Sequence, residues 1–369
     1  MKYDRNKPYN NLPQLPQANN LQNDSEILMQ LVKSSRALAK FDGNVFRLPN
    51  PSMLVNTIAM QEAKTSTEIE NIFTTEDELY QAISETSEKE NINPATKEVL
   101  KYREALWTGY SQVSKGGKLN NRLLINIFQQ IKETKSGFRS PQSQVVIKRG
   151  QSEFKSGEVI YTPPSGNMIE PMLKNLWEYL NNDKKNTTDP LIKMCVSHYQ
   201  LEAIHPFTDG NGRAGRILNL LILVDKELIT HPALYLSKYI LQNKDDYYYA
   251  LSGVTQRNDW KDWVMFMLKA VEVTSDMTNG MIQDIISQME STLQYGKEKI
   301  KWYTKEINEA IFTQPYIKAK VIGDITGKTS RTTLTKYMEE LVRHEILRVK
   351  KSGAQVYYVN DDLMRILGS

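Results

Sequence analysis

Apolar residues recur at helical spacing along most of the chain, and β-type runs are confined to two places. Between Ser25 and Lys40, residues Ile27, Leu28, Leu31, Val32, Leu38 and Ala39 predict a helix, with Asp24 or Ser25 as N-cap and Gly43 as its stop. Pro49 to Pro51 predict a turn. From Ser52 the stretch Met53-Leu54-Val55 through Ile58-Ala59-Met60 predicts a second helix, and Thr65 to Phe73 continues helically. Further amphipathic helices are expected over Glu78 to Glu90, Pro94 to Tyr110 and Leu119 to Lys132, before Gly137 interrupts.

The pattern then changes. Val145-Val146-Ile147 and Val159-Ile160-Tyr161 flank a polar turn with Gly150 and Gly157, and Pro163-Pro164 follows, which predicts a hairpin. Helical spacing resumes over Met168 to Leu180. Asp189 and Pro190 supply an N-cap and first residue for a helix reaching about Ile204. Ala214 to Val224 is almost wholly apolar and predicts a buried helix. Asn258-Asp259 cap another from Trp260, and the chain stays mostly helical to about Phe312. Beyond Gln314-Pro315 come a short helix over Ile317 to Ile325, a helix over Ser330 to Arg343, and strands at Ile346 to Val349 and Val356 to Val359 about a Ser352-Gly353 turn. That order predicts a winged helix-turn-helix domain.

Length and composition narrow the classes. A chain of 369 residues has room for more than one module, and 40% hydrophobic with 24% charged residues is ordinary for a globular protein. A net charge of +4 is too small to argue nucleic-acid binding for the whole chain. The single cysteine, Cys195, excludes an intramolecular disulfide framework and a cysteine-rich zinc site, and fits a cytoplasmic location. Met1 to Gln22 is polar, rich in Asn, Gln and Pro, and has no apolar run for a signal or membrane span, so residues 1–24 are expected to be a partly ordered leader and no membrane partner is expected.

Candidate chemistry concentrates in one string, His205-Pro206-Phe207-Thr208-Asp209-Gly210-Asn211-Gly212-Arg213-Ala214-Gly215-Arg216. Asp209 to Arg213 are expected to form a loop entering a helix near Arg213 or Ala214. Glycines let successive backbone N–H groups converge on an anion, and a helix N-terminus adds partial positive charge. Arg213 and Arg216, three residues apart, can neutralise two phosphates on one side of the first turn. Asp209 offers an oxygen ligand for Mg²⁺ or Mn²⁺, and His205 suits a general base toward an attacking hydroxyl. A turn alone accounts for Gly-Asn-Gly, but not for the whole set within twelve residues.

This string resembles the signature of the Fic family, HxFx(D/E)GNGRxxR, at every defined position. The resemblance covers roughly residues 25 to 360. It implies a mainly α, Fic-type helical bundle with a β-hairpin flap at 145–161, where a protein substrate docks, and an activity that moves AMP from ATP to a Ser, Thr or Tyr hydroxyl. By the same resemblance His205 is the base and Asp209 the metal ligand. Gly210, Asn211 and Gly212 hold the α-phosphate, Arg213 and Arg216 contact the outer phosphates, and Ala214 and Gly215 complete the phosphate-binding stretch. Ser66-Thr67-Glu68-Ile69-Glu70-Asn71 resembles the inhibitory motif (S/T)xxxE(G/N), which implies that Glu70 pairs with Arg216 where the γ-phosphate must sit. Tyr248, in the run Tyr247-Tyr248-Tyr249, is the candidate for stacking on adenine.

The implied domains are an N-terminal helical region at 25–110 with the inhibitory helix at about 65–73, a catalytic core at 111–275, a helical connector at 276–312 and a winged helix at 313–369. Two other patterns carry less. Gly323 to Thr329 has one residue too few between glycines for a Walker A loop, and Pro206 keeps His198 and His205 from sharing a helix face as metal ligands. Rival readings stay open. Glu70 could activate water and reverse the modification, or the chain could be a DNA-binding regulator that senses nucleotide. Thr329, Ser330, Arg331 and Thr332 are the candidate DNA contacts of the C-terminal domain. A homodimer is compatible with the sequence.

Overall fold

The computed structural model describes residues 3–17, 21–45, 51–84, 92–149, 157–353 and 355–368. Its helical part begins with α1 (Ser25–Val45), α2 (Pro51–Ile69), α3 (Glu76–Ser84), α4 (Pro94–Val113) and α5 (Asn121–Lys132). A short antiparallel pair, β1 (Ile147–Arg149) and β2 (Glu158–Tyr161), follows, and then α6 (Ile169–Asn181), α7 (Pro190–Ile204), α8 (Asn211–Asp225), α9 (Leu236–Gln242), α10 (Lys244–Arg257), α11 (Trp260–Lys299) and α12 (Lys305–Ile311). The last segment holds β3 (Tyr316–Ile317), α13 (Ala319–Thr326), α14 (Arg331–Arg343), β4 (Arg348–Ser352), β5 (Gln355–Val359) and α15 (Asp361–Gly368).

α7 and α8 are buried all round, as a helix without a polar face must be, with α1, α2, α4, α5, α6 and α11 packed against one or the other. α11 is one continuous helix of 40 residues that lies along α1. The expected border between core and connector at 275/276 therefore falls inside a helix, since nothing near it breaks the backbone ladder. Gly43 is likewise inside α1 and not its stop, because one exposed glycine costs a helix only about 1 kcal/mol.

α2 ends sooner than the apolar spacing predicts. Asn71 takes a left-handed φ of 62°, the Asn71 N–H donates to the Glu68 carbonyl at 2.9 Å, and the Ile72 N–H donates to the Thr67 carbonyl at 3.1 Å. This is a Schellman end with Asn71 at its left-handed position, so Glu70 caps the helix and residues 70–73 lie beyond it. The helix expected over Glu78 to Glu90 is described only to Ser84, and Pro49 and the flap turn with Gly150 lie outside the described residues.

Part of the expected leader over residues 1–24 packs against the bundle. Leu12 and Leu15 are buried in the core, and the Leu15 N–H and carbonyl both bond the Asn175 amide of α6, at 2.8 and 2.9 Å. The polar segment supplies backbone partners, and its two leucines fill the core beneath it.

The flap pairs Ile147 with Tyr161, Lys148 with Val159 and Arg149 with Glu158; Val145 and Val146 stay outside the strand. In the C-terminal segment the sheet order is β3–β5–β4, antiparallel throughout, so a third strand joins the two-stranded wing that the sequence predicts. Trp302 stacks on Tyr337 of α14 at 4.0 Å and fixes this segment to the end of α11. Among the described residues, no helix is long and apolar enough to cross a membrane.

Candidate active site

The glycine-rich string forms a tight turn between the two central helices. α7 stops at His205, whose φ is 51°, and the chain re-enters a helix at Gly210, whose φ of 73° makes it a left-handed N-cap. The Asn211 amide closes the turn: its Oδ1 accepts from the Phe207 N–H and its Nδ2 donates to the Phe207 carbonyl, both at 2.9 Å. Phe207 is buried and stacked on Phe128 at 4.0 Å, which pins the turn to α5. α8 therefore starts at Asn211, two residues before the earliest start expected. The Asn211 side chain is committed to this turn through both of its amide atoms. Gly210 offers no side-chain cap, so the first-turn N–H groups of Asn211, Gly212 and Arg213 face outward without one, the usual setting of an anion site.

Each arginine of the string meets a carboxylate. Arg216, 2% exposed, donates through Nε to Ser66 Oγ at 2.7 Å and through one terminal nitrogen to the Ser66 carbonyl at 2.9 Å and Glu70 Oε1 at 2.8 Å. Ser66 and Glu70 thus act on one guanidinium from the last turn of α2. Burial opposes the charge on Glu70, but the Arg216 and Arg213 cations outweigh it and hold the carboxyl below its ordinary value. Arg213, also 2% exposed, pairs with Glu98 of α4 and lies 3.6 Å from Asp209. Asp209, mostly exposed, pairs with Lys132 of α5 at 2.8 Å; burial works against its charge, and Lys132 and Arg213 keep it ionised. At Gly212 an added Cβ would collide with Glu70 Oε1 and lie 2.9 Å from Arg216, so the close approach of Glu70 to the turn needs glycine there.

α2 is positioned for this by its own buried polar groups. Glu62 accepts from the Ser237 N–H at 2.8 Å and the Tyr102 hydroxyl at 3.2 Å, Thr65 bonds Tyr235 at 2.6 Å, and Lys244 of α10 donates to the Ile69 carbonyl at 2.7 Å.

His205 stands at the mouth of the turn. Burial pulls its imidazole down to about 4, with Arg139 adding to the effect, so the ring is neutral near pH 7; with Nδ1–H directed at the Glu202 carbonyl, 3.4 Å away, Nε2 can accept a proton. Arg139 fixes the backbone around it: Nε donates to the His205 carbonyl at 2.9 Å, another nitrogen reaches the Ile204 carbonyl at 3.3 Å, and the Arg139 N–H donates to the Pro206 carbonyl at 2.9 Å. Tyr161 of the flap donates to the Ala203 carbonyl at 2.8 Å.

Of the three tyrosines, Tyr247 is buried with its hydroxyl 2.9 Å from His198 Nε2, and Tyr249 packs on Arg257. Tyr248 is part-exposed beside the Glu70–Arg216 pair; burial and the Glu70 charge push its hydroxyl up to about 12. His198 is thus a packed residue under the site, its ring drawn down to about 3 by burial and Arg216. Sequence reading missed Glu98, Lys132 and Arg139. Each comes from a different stretch of chain, and no local pattern marks it.

Comparison with known proteins gives a consistent answer. Residues 28–111 match the Fic/DOC family N-terminal domain, residues 118–223 the Fic/DOC family itself, and residues 286–363 the domain described as "Protein adenylyltransferase SoFic-like, C-terminal domain". The chain is 28% identical over 151 residues to "Protein adenylyltransferase fic-1" of Caenorhabditis elegans and 27% identical over 145 residues to "Protein adenylyltransferase Fic" of Drosophila mojavensis, covering 41% and 38% of this chain. The match spans 28% of the length of each of those relatives. Its fold resembles that of a Fic family protein from Desulfovibrio desulfuricans G20, with a TM-score of 0.57 at 19% identity over 91% of this chain and 96% of that one. It also resembles Fic-1 of C. elegans, with a TM-score of 0.52 at 18% identity over 70% of this chain and 73% of that one. With both Fic/DOC domains in order and the signature string folded into one turn at the start of α8, the chain belongs to the Fic/DOC family.

Proposed function

We propose that the protein transfers AMP from ATP to a Ser, Thr or Tyr hydroxyl of a protein, itself included, and that Glu70 holds this transfer in check. The observation that carries the proposal is the convergence on one uncapped helix start of a neutral His205, an ionised Asp209 and two arginines. In this reading the phosphates lie on the first-turn amides of α8, with Arg213 and Arg216 on the outer ones and Tyr248 beside the base. His205 takes the proton of the attacking hydroxyl as its oxygen bonds to the α-phosphorus. The bond from that phosphorus to the bridging oxygen breaks, and pyrophosphate leaves.

Asp209 fits a nucleotide-borne Mg²⁺ or Mn²⁺: it is a single, largely exposed, ionised carboxylate, and among the described residues no group of three acidic, His or Cys side chains could cage a metal. Such an ion supplies charge neutralisation for the phosphate oxygens. The lone buried thiol, Cys195, supports a cytoplasmic setting.

Autoinhibition follows from the Glu70–Arg216 pair, because a γ-phosphate and Glu70 compete for one guanidinium. With ATP labelled at the α-phosphate, Glu70→Gly is expected to raise incorporation into protein by about tenfold or more. Incorporation from the γ-labelled form instead would contradict the transfer. The same ionised Glu70, close against Gly212, supports a second reading in which it activates water to remove AMP; AMP release from modified protein is then lost in Glu70→Gln. We also read α13, α14 and the β4–β5 ribbon as a winged helix, with Arg331, Thr332 and Lys336 exposed along α14. Selective DNA binding that survives His205→Ala would favour a nucleotide-sensing regulator.

A further inference from the structure

We propose that residues Tyr3 to Asn10 are a strap that holds the flap against the end of α7, beside His205, and leaves β1 as the edge of the flap that is open among the described residues, for an incoming protein segment. This rests on the transfer reading above, in which the flap receives the target.

The strap runs along β2. The Tyr3 hydroxyl donates to the Ile160 carbonyl at 2.9 Å, and the Tyr9 N–H donates to the Thr162 carbonyl at 3.1 Å. These carbonyls are two residues apart, so they leave the strand on the same side, and β1 already pairs with β2. The contacts are reciprocal: Thr162 Oγ1 donates to the Arg5 carbonyl at 2.6 Å, and the Ser165 N–H donates to Asn10 Oδ1 at 2.8 Å. Arg5 pairs with Glu158 at the start of β2, at 2.5 Å. Beyond Asn10 the strap is anchored to the bundle, through the Pro13 carbonyl on Gln200 of α7 at 3.1 Å and through Leu15 on Asn175.

Tyr161 carries the effect inward. Its ring lies among those of Tyr3 and Tyr9, with centroids 6.4 Å from each, and its hydroxyl bonds the Ala203 carbonyl, two residues before His205. Strap, flap and the end of α7 therefore form one connected unit. A strand of four residues paired to a strand of three has little hold of its own, and the strap supplies the missing side. A peptide pairing with the flap then finds the β2 side covered and the β1 side open.

The residues involved are positioning residues, and the test separates positioning from chemistry. The enzyme is the full chain with Glu70→Gly, with and without Tyr3→Phe plus Thr162→Val, a pair that removes two of the bonds and keeps the rings and volume. The protein substrate is the full chain with His205→Ala, added in trans. The strap predicts a KM for that substrate raised about fivefold or more, with ATP affinity and the rate at saturation within about twofold. It also predicts amide exchange at residues 158–161 faster by about tenfold. Unchanged exchange overturns the strap's hold on the flap. Faster exchange with an unchanged KM overturns its role in receiving the target, and an equal loss of ATP affinity does the same by placing the effect in the phosphate turn. If the Glu70→Gly enzyme moves no AMP to any protein, the transfer reading fails, and amide exchange still decides whether the strap holds the flap.

Discussion

A methyl group on residue 212 would land on the Glu70 carboxylate and crowd Arg216. Gly212→Ala is therefore expected to destabilise the fold by about 1–3 kcal/mol, the usual cost of overpacking, in a denaturant titration. In the Glu70→Gly background part of that cost should vanish, since the closest colliding atom is gone and only the Arg216 guanidinium has to shift. A second residue-scale prediction concerns His205. Its ring loses its proton at about 4 instead of 6.5, so as the pH falls the neutral base persists to about 4, and the acid limb of kcat/KM belongs there. The same shift sets a stability slope. Above 6.5 both folded and unfolded states hold a neutral ring. Between 6.5 and about 4 the unfolded chain binds the proton first, so this ring's contribution to stability falls as the pH drops through that window, and His198 extends the loss toward about 3. Glu62 and Glu202, whose carboxyls burial raises to about 7, contribute the opposite slope from about 7 downward, so thermal unfolding of His205→Ala beside the parent chain isolates the sign of the His205 contribution.

At the scale of elements, the site depends on where helices begin and end. Asp189 caps α7, its side chain accepting from the Leu191 N–H at 2.8 Å, and Asp189→Ala is expected to cost about 1 kcal/mol in stability while leaving ATP affinity unchanged, because the cap lies at the far end of α7 from His205. That cap was legible in the sequence, as were the buried α8 and the glycine-rich turn that opens it. All are contiguous patterns whose physics is local. The end of α2 was less legible: apolar spacing carried the helix on to Phe73, and the left-handed Asn71 that stops it was read only as part of a motif. Glu98 on α4 and Lys132 on α5 were not legible at all, since a carboxylate or ammonium on an exposed helix face looks the same whether or not it reaches Arg213 or Asp209. The contacts of the N-terminal segment were not legible for a related reason. Asn-, Gln- and Pro-rich composition does not say which surface will offer the backbone partners, and here Asn175, Gln200 and Thr162 do.

Across the whole molecule, the phosphate turn is closed by side chains from three directions: Glu70 from α2 on Arg216, Glu98 from α4 on Arg213, and Lys132 from α5 on Asp209. The charges a nucleotide would need are thus already paired, and on the proposed function the transfer is expected to stay mostly off until Glu70 gives way. The central claim is that this turn transfers AMP with His205 as base and Glu70 as brake. Its most direct test is intact-protein and peptide mass spectrometry of the Glu70→Gly chain after incubation with ATP and Mg²⁺, beside the same chain carrying His205→Ala as well. The account predicts the mass of AMP on a hydroxyl side chain in the first and none in the second. Equal modification of both, or a gain of phosphate alone, would contradict it.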